Sequence, residues 1–342
     1  MDKRIILAVA GSGKTSLIVD KLNPESKSLI LTYTDNNFNN LRSKILKKFG
    51  RFPQGTQLFT YFSFLYRFCY KPFLFHEFPA KGISWDPPPG YTLKLSRTDP
   101  RYYISSSSRL YHNRLAKILE VRGILPLINQ RFEKYFENLF VDEVQDFAGH
   151  DFNLLMNICN SGINITLVGD FFQHTFDTSR DGAVNKNLYE DLGAYKSRFT
   201  RAGVHVDSQT LSHSYRCSPI LCNFVTKKVG ISIFSHRDDE TRILLIEDME
   251  LMEEKFYCDE TVKLFYQNHH QYFCYSQNWG ASKGEDHYHD VCVVLNKNSY
   301  NLFKAGKLNE LNVKTRNKLY VACTRTRGDL YLISDQMLKI YK

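Results

Sequence analysis

No two of the eight cysteines form a Cys-x-x-Cys pair, so neither a zinc site nor a redox motif is suggested. Cys159, Cys292 and Cys323 stand inside apolar runs, where a thiol behaves as a small core residue. Apolar runs long enough to cross a bilayer are also missing, which excludes a spanning helix. The opening MDKRIILAVAGSGK imitates a secretion signal, but its apolar stretch, Ile5–Ala10, is short and runs straight into Gly-Ser-Gly-Lys-Thr. It reads as a buried strand, which places the protein in the cytoplasm, with no membrane partner and no disulfide framework. Negative charge is the minority sign, 36 Asp and Glu against 45 Lys and Arg. The surplus gathers between Lys94 and Lys134, where nine basic residues meet three acidic ones and Tyr102, Tyr103 and Tyr111 are interleaved. Cations mixed with flat rings suit single-stranded nucleic acid, although a solvated helix face has the same composition. What remains is a chain of 342 residues, 43% hydrophobic, long enough for two domains with cores.

The segment FVDEVQDFAG poses a physical problem. Asp142, Glu143 and Asp146 crowd the end of the apolar run Leu139–Val141, and such crowding is costly unless a cation joins them. The N-terminus supplies the reason. IILAVAGSGKT reads as strand, tight loop and helix, with Gly11 and Gly13 allowing backbone N–H groups to turn toward phosphate oxygens. Ala10, Gly11, Ser12, Gly13, Lys14, Thr15 and Ser16 are therefore the expected nucleotide-binding stretch. Lys14 would reach the β- and γ-phosphates, and the helix would offer its positive end. Thr15 and Asp142 would hold Mg2+, and Glu143 would orient and deprotonate the attacking water. With ATP and Mg2+ present, the acidic cluster becomes charge complementarity.

The order of motifs resembles the UvrD/Rep-type superfamily 1 helicases. AVAGSGKT is similar to their first motif and VDEVQD to their second. LTYTDNNFNNLRSKI and TYFSFLYRF resemble the segments that hold the DNA strand. LVGDFFQHTF, LSHSYRCSPIL, GASKGEDHYHDVCVV and NKLYVACTRTRGDLYLI look like the third to sixth motifs, so the resemblance spans nearly the whole chain. It implies that Gln173 senses the γ-phosphate and that Arg216 and Arg325 neutralise charge on the transferring phosphoryl group. It implies a strand-contact role for Lys283, and by position for Tyr33, Tyr61 and Phe64, for which core packing is the competing reading. The glutamate that touches the nucleotide sugar has two counterparts, Glu285 and Asp286. The resemblance further implies 3′ to 5′ movement on single-stranded nucleic acid, DNA before RNA.

Alternating strands and helices predict an α/β fold of two RecA-like domains with mainly parallel sheets and the nucleotide in the cleft between them. The expected strands are Arg4–Val9, Leu29–Thr34, Leu58–Tyr61, Leu139–Asp142 and Ile163–Gly169, then Arg242–Ile246, Tyr272–Tyr275, Asp290–Leu295 and Leu330–Ile333. A helix is expected over Lys314–Arg327. The domains are expected at 1–202 and 203–342, with a reduced insertion at about 71–130 that includes the loop SWDPPPGY.

Several departures from the family qualify a helicase reading. The chain begins at the phosphate-loop strand, without the upstream glutamine that reads adenine, which predicts looser base selectivity with GTP able to replace ATP. The space between the fourth and fifth motifs leaves no room for the family's large insertion. Thr178-Ser179 stand where a base-stacking tryptophan is usual, although Arg180 is retained as a strand contact, and Phe62 stands where the family often has histidine. The ATPase parts are intact while the strand-gripping parts are thinned. A translocase or helicase therefore competes with a nucleotide-gated ATPase subunit that signals to a protein partner such as a nuclease. No nuclease constellation is visible in this chain.

Overall fold

Short apolar runs become parallel strands throughout the computed structural model, which describes residues 1–175 and 181–342. β1 (Lys3–Leu7), β2 (Ser28–Thr32) and β3 (Thr56–Thr60) open the first sheet, with α1 (Lys14–Lys21) and α2 (Asp35–Phe49) between them. Thr34 caps α2 by accepting the Asn37 N–H at 3.2 Å, and Gly50 ends it in the left-handed region at φ 71°. β4 (Ile83–Ser84) and β5 (Leu110–Tyr111) pair separately inside the expected insertion. β6 (Asn138–Val141), β7 (Asn164–Gly169) and β8 (His205–Asp207) complete a six-stranded sheet in the order β3-β2-β6-β7-β1-β8. The pairs β2–β3, β2–β6, β6–β7 and β1–β8 all run parallel. Because β8 pairs with β1, the first sheet extends beyond the boundary expected after residue 202.

In the second unit β9 (His213–Ser214) and β10 (Phe234–Ser235) form a small pair. β11 (Ile243–Ile246), β12 (Val262–Phe265), β13 (Ser276–Asn278), β14 (Val291–Leu295) and β15 (Leu330–Ser334) form a parallel sheet in the order β11-β15-β14-β12-β13. Its central strands β14 and β15 are apolar on both faces. Val291, Val293, Leu330 and Leu332 join one core cluster, while Cys292, Val294, Tyr331 and Ile333 join another. Such continuous apolar strands are what a doubly covered parallel sheet requires.

Two elements differ from expectation. Tyr272–Tyr275 is not a strand: Tyr272 folds back to stack on Phe265 at 4.2 Å, and the edge strand is β13. β12 escaped notice because Lys263 interrupts its apolar run. That lysine is fully buried, its Nζ donates to the Cys258 carbonyl at 2.8 Å, and burial lowers its pKa. The helix expected over Lys314–Arg327 covers Val313–Cys323 and stops two residues before Arg325.

Contacts divide the chain unevenly. The first compact unit holds Met1–Ile6 and Thr15–Gly169 and ends at Asp207. The second holds Leu7–Lys14, a segment starting at Asp170, and Ser208–Lys342. Among the described residues no helix is long and apolar enough to cross a membrane.

The basic insertion is not simply a solvated surface. Arg114 and Lys117 are buried and converge on Asp181, at 3.4 and 2.7 Å, with the Arg114 guanidinium 4.0 Å from the centre of the Tyr102 ring. Burial alone would raise the Asp181 pKa, but Lys117 and Arg114 hold it below the usual carboxylate range. Two of the nine cations counted in this stretch are thus structural.

Candidate nucleotide-binding site

Within the first unit, β6 delivers Asp142 to the carboxyl end of the sheet, where its N–H donates to the Leu31 carbonyl at 2.8 Å. The Asp142 side chain is buried, and the Thr15 hydroxyl lies 3.4 Å from its Oδ2. These are two hard oxygen donors on one point, the type of set that suits Mg2+ together with phosphate oxygens. Glu143 follows at φ 57°, a left-handed conformation uncommon for glutamate. Its N–H donates to Asp142 Oδ1 at 3.1 Å, and its carboxylate accepts from Gln145 Nε2. Gln145 is fully buried against β7, where a Cβ on Gly169 would lie 2.3 Å from the Gln145 side-chain oxygen. Only glycine leaves room for the amide that holds Glu143.

Within the second unit, the loop is tied down by its own backbone. Val9 N–H donates to Leu211, and Tyr215 N–H to the Gly11 carbonyl at 2.9 Å. Gly11 has φ +69°, and a Cβ there would lie 2.6 Å from Arg216 Cβ and 2.8 Å from Ser214 Oγ. Glycine is therefore demanded both by dihedral and by space. Ser12 is buried with its hydroxyl on the Val9 carbonyl, Lys14 is half-buried, and Ser16 is exposed on α1, where Lys44 reaches it at 3.1 Å.

The sequence reading missed Tyr320. Ala10, expected to face phosphate, donates its N–H to the Tyr320 hydroxyl at 2.8 Å, which in turn donates to Asp170 Oδ2 at 2.9 Å. Burial, followed by the charge of Asp170, raises the Tyr320 pKa far above its ordinary value, so it stays a neutral donor. Asp170 also accepts the Phe172 N–H, which shapes the turn that buries Gln173. One hydroxyl therefore links the loop, the third motif and the helix Val313–Cys323. Tyr320→Phe is expected to orphan the buried Ala10 N–H and to take one hydrogen bond from the buried Asp170 carboxylate, costing about 1–3 kcal/mol. Urea denaturation would show this as a lower midpoint with an unchanged slope.

Arg216 and Arg325 are both buried. Arg216 donates to the Thr324 carbonyl at 3.1 Å and pairs with Asp286. Arg325 lies beyond its helix end, donates from Nε to the Val321 carbonyl at 3.2 Å and from Nη1 to the Glu285 carbonyl at 3.3 Å, and stands 3.7 Å from Asp286. Burial, then the neighbouring Arg216, lowers the Arg325 pKa to about 10, so it remains a cation at neutral pH. The two candidates for the sugar contact differ: Asp286 faces both arginines, while the Glu285 carboxylate lies 3.2 Å from His287 Nδ1. Tyr215 was not anticipated either. Its ring is 63% exposed, stacks on His236 at 4.1 Å, and comes within 3.8 Å of a Cβ position on Gly13.

The expected strand contacts separate by burial. Phe64 is fully enclosed against Phe68 and Phe132, and Tyr61 is 1% exposed and stacks on Tyr33, so neither offers a free face. Tyr33 lines a cavity, and Lys283 is half-buried in the turn before Gly284. Arg180 lies outside the described residues.

The model of the viral superfamily 1 RNA helicase core domain matches residues 104–334. No curated protein matches the chain. Two solved structures of Arterivirus nonstructural protein 10, a helicase, are similar at 14% identity. The one solved with DNA superposes with a TM-score of 0.49 over 99% of this chain and 63% of its own. The one described without DNA gives 0.48, over 99% and 62%. This chain therefore spans less than two thirds of the length of those proteins.

Proposed function

Since the chain belongs to the viral superfamily 1 RNA helicase core family, we propose that it is an ATP-hydrolysing motor on single-stranded nucleic acid. The observation that carries the reading is the Thr15 hydroxyl 3.4 Å from the buried Asp142 carboxylate, immediately after a glycine loop that admits no side chain at Gly11. Thr15 and Asp142 would hold Mg2+, which would neutralise charge on the β- and γ-phosphates. Lys14 would sit on those phosphates, and Glu143, oriented by Gln145, would take the proton of the attacking water. Gln173 would sense the γ-phosphate. Arg216 and Arg325 would stabilise the transferring phosphoryl group. Tyr215 offers an aromatic face beside the loop on which the base of the nucleotide would stack, a contact that accepts adenine and guanine alike.

The UvrD/Rep resemblance implied DNA, whereas the matching family is described as RNA helicases, so we take RNA as the first polymer and DNA as the second. The 3′ to 5′ direction rests on the resemblance and is tested with duplexes carrying a single-stranded tail at one end only. The first experiment measures ATP and GTP hydrolysis with and without single-stranded RNA or DNA, beside Lys14→Ala. Strand-stimulated hydrolysis that falls roughly 10²–10³-fold in the variant supports the motor. Hydrolysis indifferent to both polymers overturns it and favours the ATPase subunit that gates a protein partner.

A further inference from the structure

A cavity of about 580 Å³ opens in the first unit, within the range that takes small ligands. Tyr33, Thr34 and Asp35 line it from the turn after β2, and Thr60, Phe62 and Ser63 from the end of β3. It thus lies at the carboxyl ends of two parallel strands, where open α/β sheets bind their ligands. The remaining wall comes from outside every helicase-like motif: Ile83, Trp85 and His112 belong to the insertion.

Trp85 is 62% exposed, yet it is held in place. The edge of Phe62 meets it at 4.9 Å with planes 87° apart, and His112 meets it at 5.5 Å. His112 is itself fixed by a 3.2 Å contact between Nδ1 and the Ser84 carbonyl and by packing on Phe62 at 5.8 Å. A large ring kept open to solvent by two supporting rings is a stacking platform in search of a flat partner.

Charge says which part of a nucleotide fits. The lining residues include a carboxylate, Asp35, and no lysine or arginine among those described, so the interior disfavours phosphate. Hydroxyls at Thr60 and Ser63, 3.0 Å apart, offer polar edges at the same wall. An exposed cation, Arg109, reaches the carbonyl of the lining residue Ile83 at 3.5 Å. Rings and hydroxyls in the lining, with a guanidinium bonded to the backbone of one lining residue, match a base inside and its phosphate outside.

Resting on the motor reading, we propose that this cavity binds an unstacked nucleobase of the single strand, with Trp85 as its stacking face. Trp85 thereby replaces, from the insertion, the stacking ring missing after the third motif.

Intrinsic fluorescence tests this directly, because the other tryptophan, Trp279, is fully buried with its indole N–H on the Leu264 carbonyl. Titrating the whole protein with single-stranded RNA and DNA oligonucleotides should quench Trp85 emission saturably, and strands of abasic sugar-phosphate should not. Trp85→Ala should weaken strand binding, measured by anisotropy of a labelled oligonucleotide, by about 5- to 150-fold. Trp85→Phe should recover most of that loss, and strand-free ATP hydrolysis should be unchanged in both. If strands bind and stimulate hydrolysis while Trp85 emission and the affinity of Trp85→Ala stay unmoved, the cavity is not a base site and the motor reading survives. Equal quenching by abasic strands overturns base recognition as well. Failure of every strand to bind removes the motor reading together with this inference.

Discussion

Glu143→Gln is expected to lower ATP hydrolysis by roughly 10²–10⁴-fold while leaving nucleotide binding within a factor of about two. The substitution removes a proton acceptor and preserves shape. Glutamine can keep its side-chain oxygen toward Gln145 Nε2, and its N–H can still donate to Asp142 Oδ1, 3.1 Å away in the parent. The backbone at this position is left-handed, φ 57°, and glutamine meets it with the same Cβ as glutamate, so the substitution adds no strain. Single-turnover hydrolysis read beside equilibrium binding of a fluorescent ATP analogue separates the two effects. A loss of binding as large as the loss of rate would make Glu143 a structural residue. A rate within tenfold of the parent would remove it from the reaction.

The elements that carry this argument were legible in the sequence because their signals are local. Gly-Ser-Gly-Lys-Thr needs only its neighbours to be read as a loop entering a helix, and α1 begins at Lys14 as that pattern predicts. VDEVQD follows a run of three apolar residues, and Asp142 stands just past β6. Apolar runs located most strands of both sheets to within one or two residues. β12 was lost to a buried lysine in its centre, whose ammonium is satisfied by a carbonyl five residues away. No periodicity rule sees that bond, and the aromatic run after it, Tyr272 onward, looked more like a strand than β12 itself.

Long-range partners were not legible. Tyr320 sits in a segment recognised for Arg325, yet its partners, Ala10 and Asp170, are 310 and 150 residues away in sequence. The same limit applies to aromatics. Both Phe62 and Phe64 are buried, yet Phe64 packs on Phe68 and Phe132 while Phe62 supports Trp85, although the two stand two positions apart in one helical run. Their neighbours in sequence are alike; their neighbours in space are not. Charge composition misled in the same manner at Arg114 and Lys117, which count toward a basic patch but spend their charge on Asp181.

Arg216→Ala is expected to reduce kcat by roughly 10³–10⁵-fold, the range for an arginine that stabilises a transferring phosphoryl group. The electrostatics of the second unit support so large a value. Arg216 and Arg325 are 7% and 2% exposed, and both face Asp286, whose side chain is 56% exposed and partly screened. Two desolvated cations against one half-hydrated carboxylate make an unequal charge balance, and burial, followed by the repulsion of Arg216, draws the Arg325 pKa down to about 10. A triphosphate would complete that balance, most strongly in the transition state. The same reasoning separates catalysis from structure. Deleting Arg216 removes the repulsion on Arg325 and lets its pKa rise, so folding should lose little, with the thermal midpoint within a few degrees of the parent. Arg216→Lys keeps the charge but loses the planar fork, and should restore only a small part of the rate. A collapse of the thermal midpoint alongside kcat would assign Arg216 to the fold through its Thr324 bond, and an unchanged kcat would remove it from the chemistry.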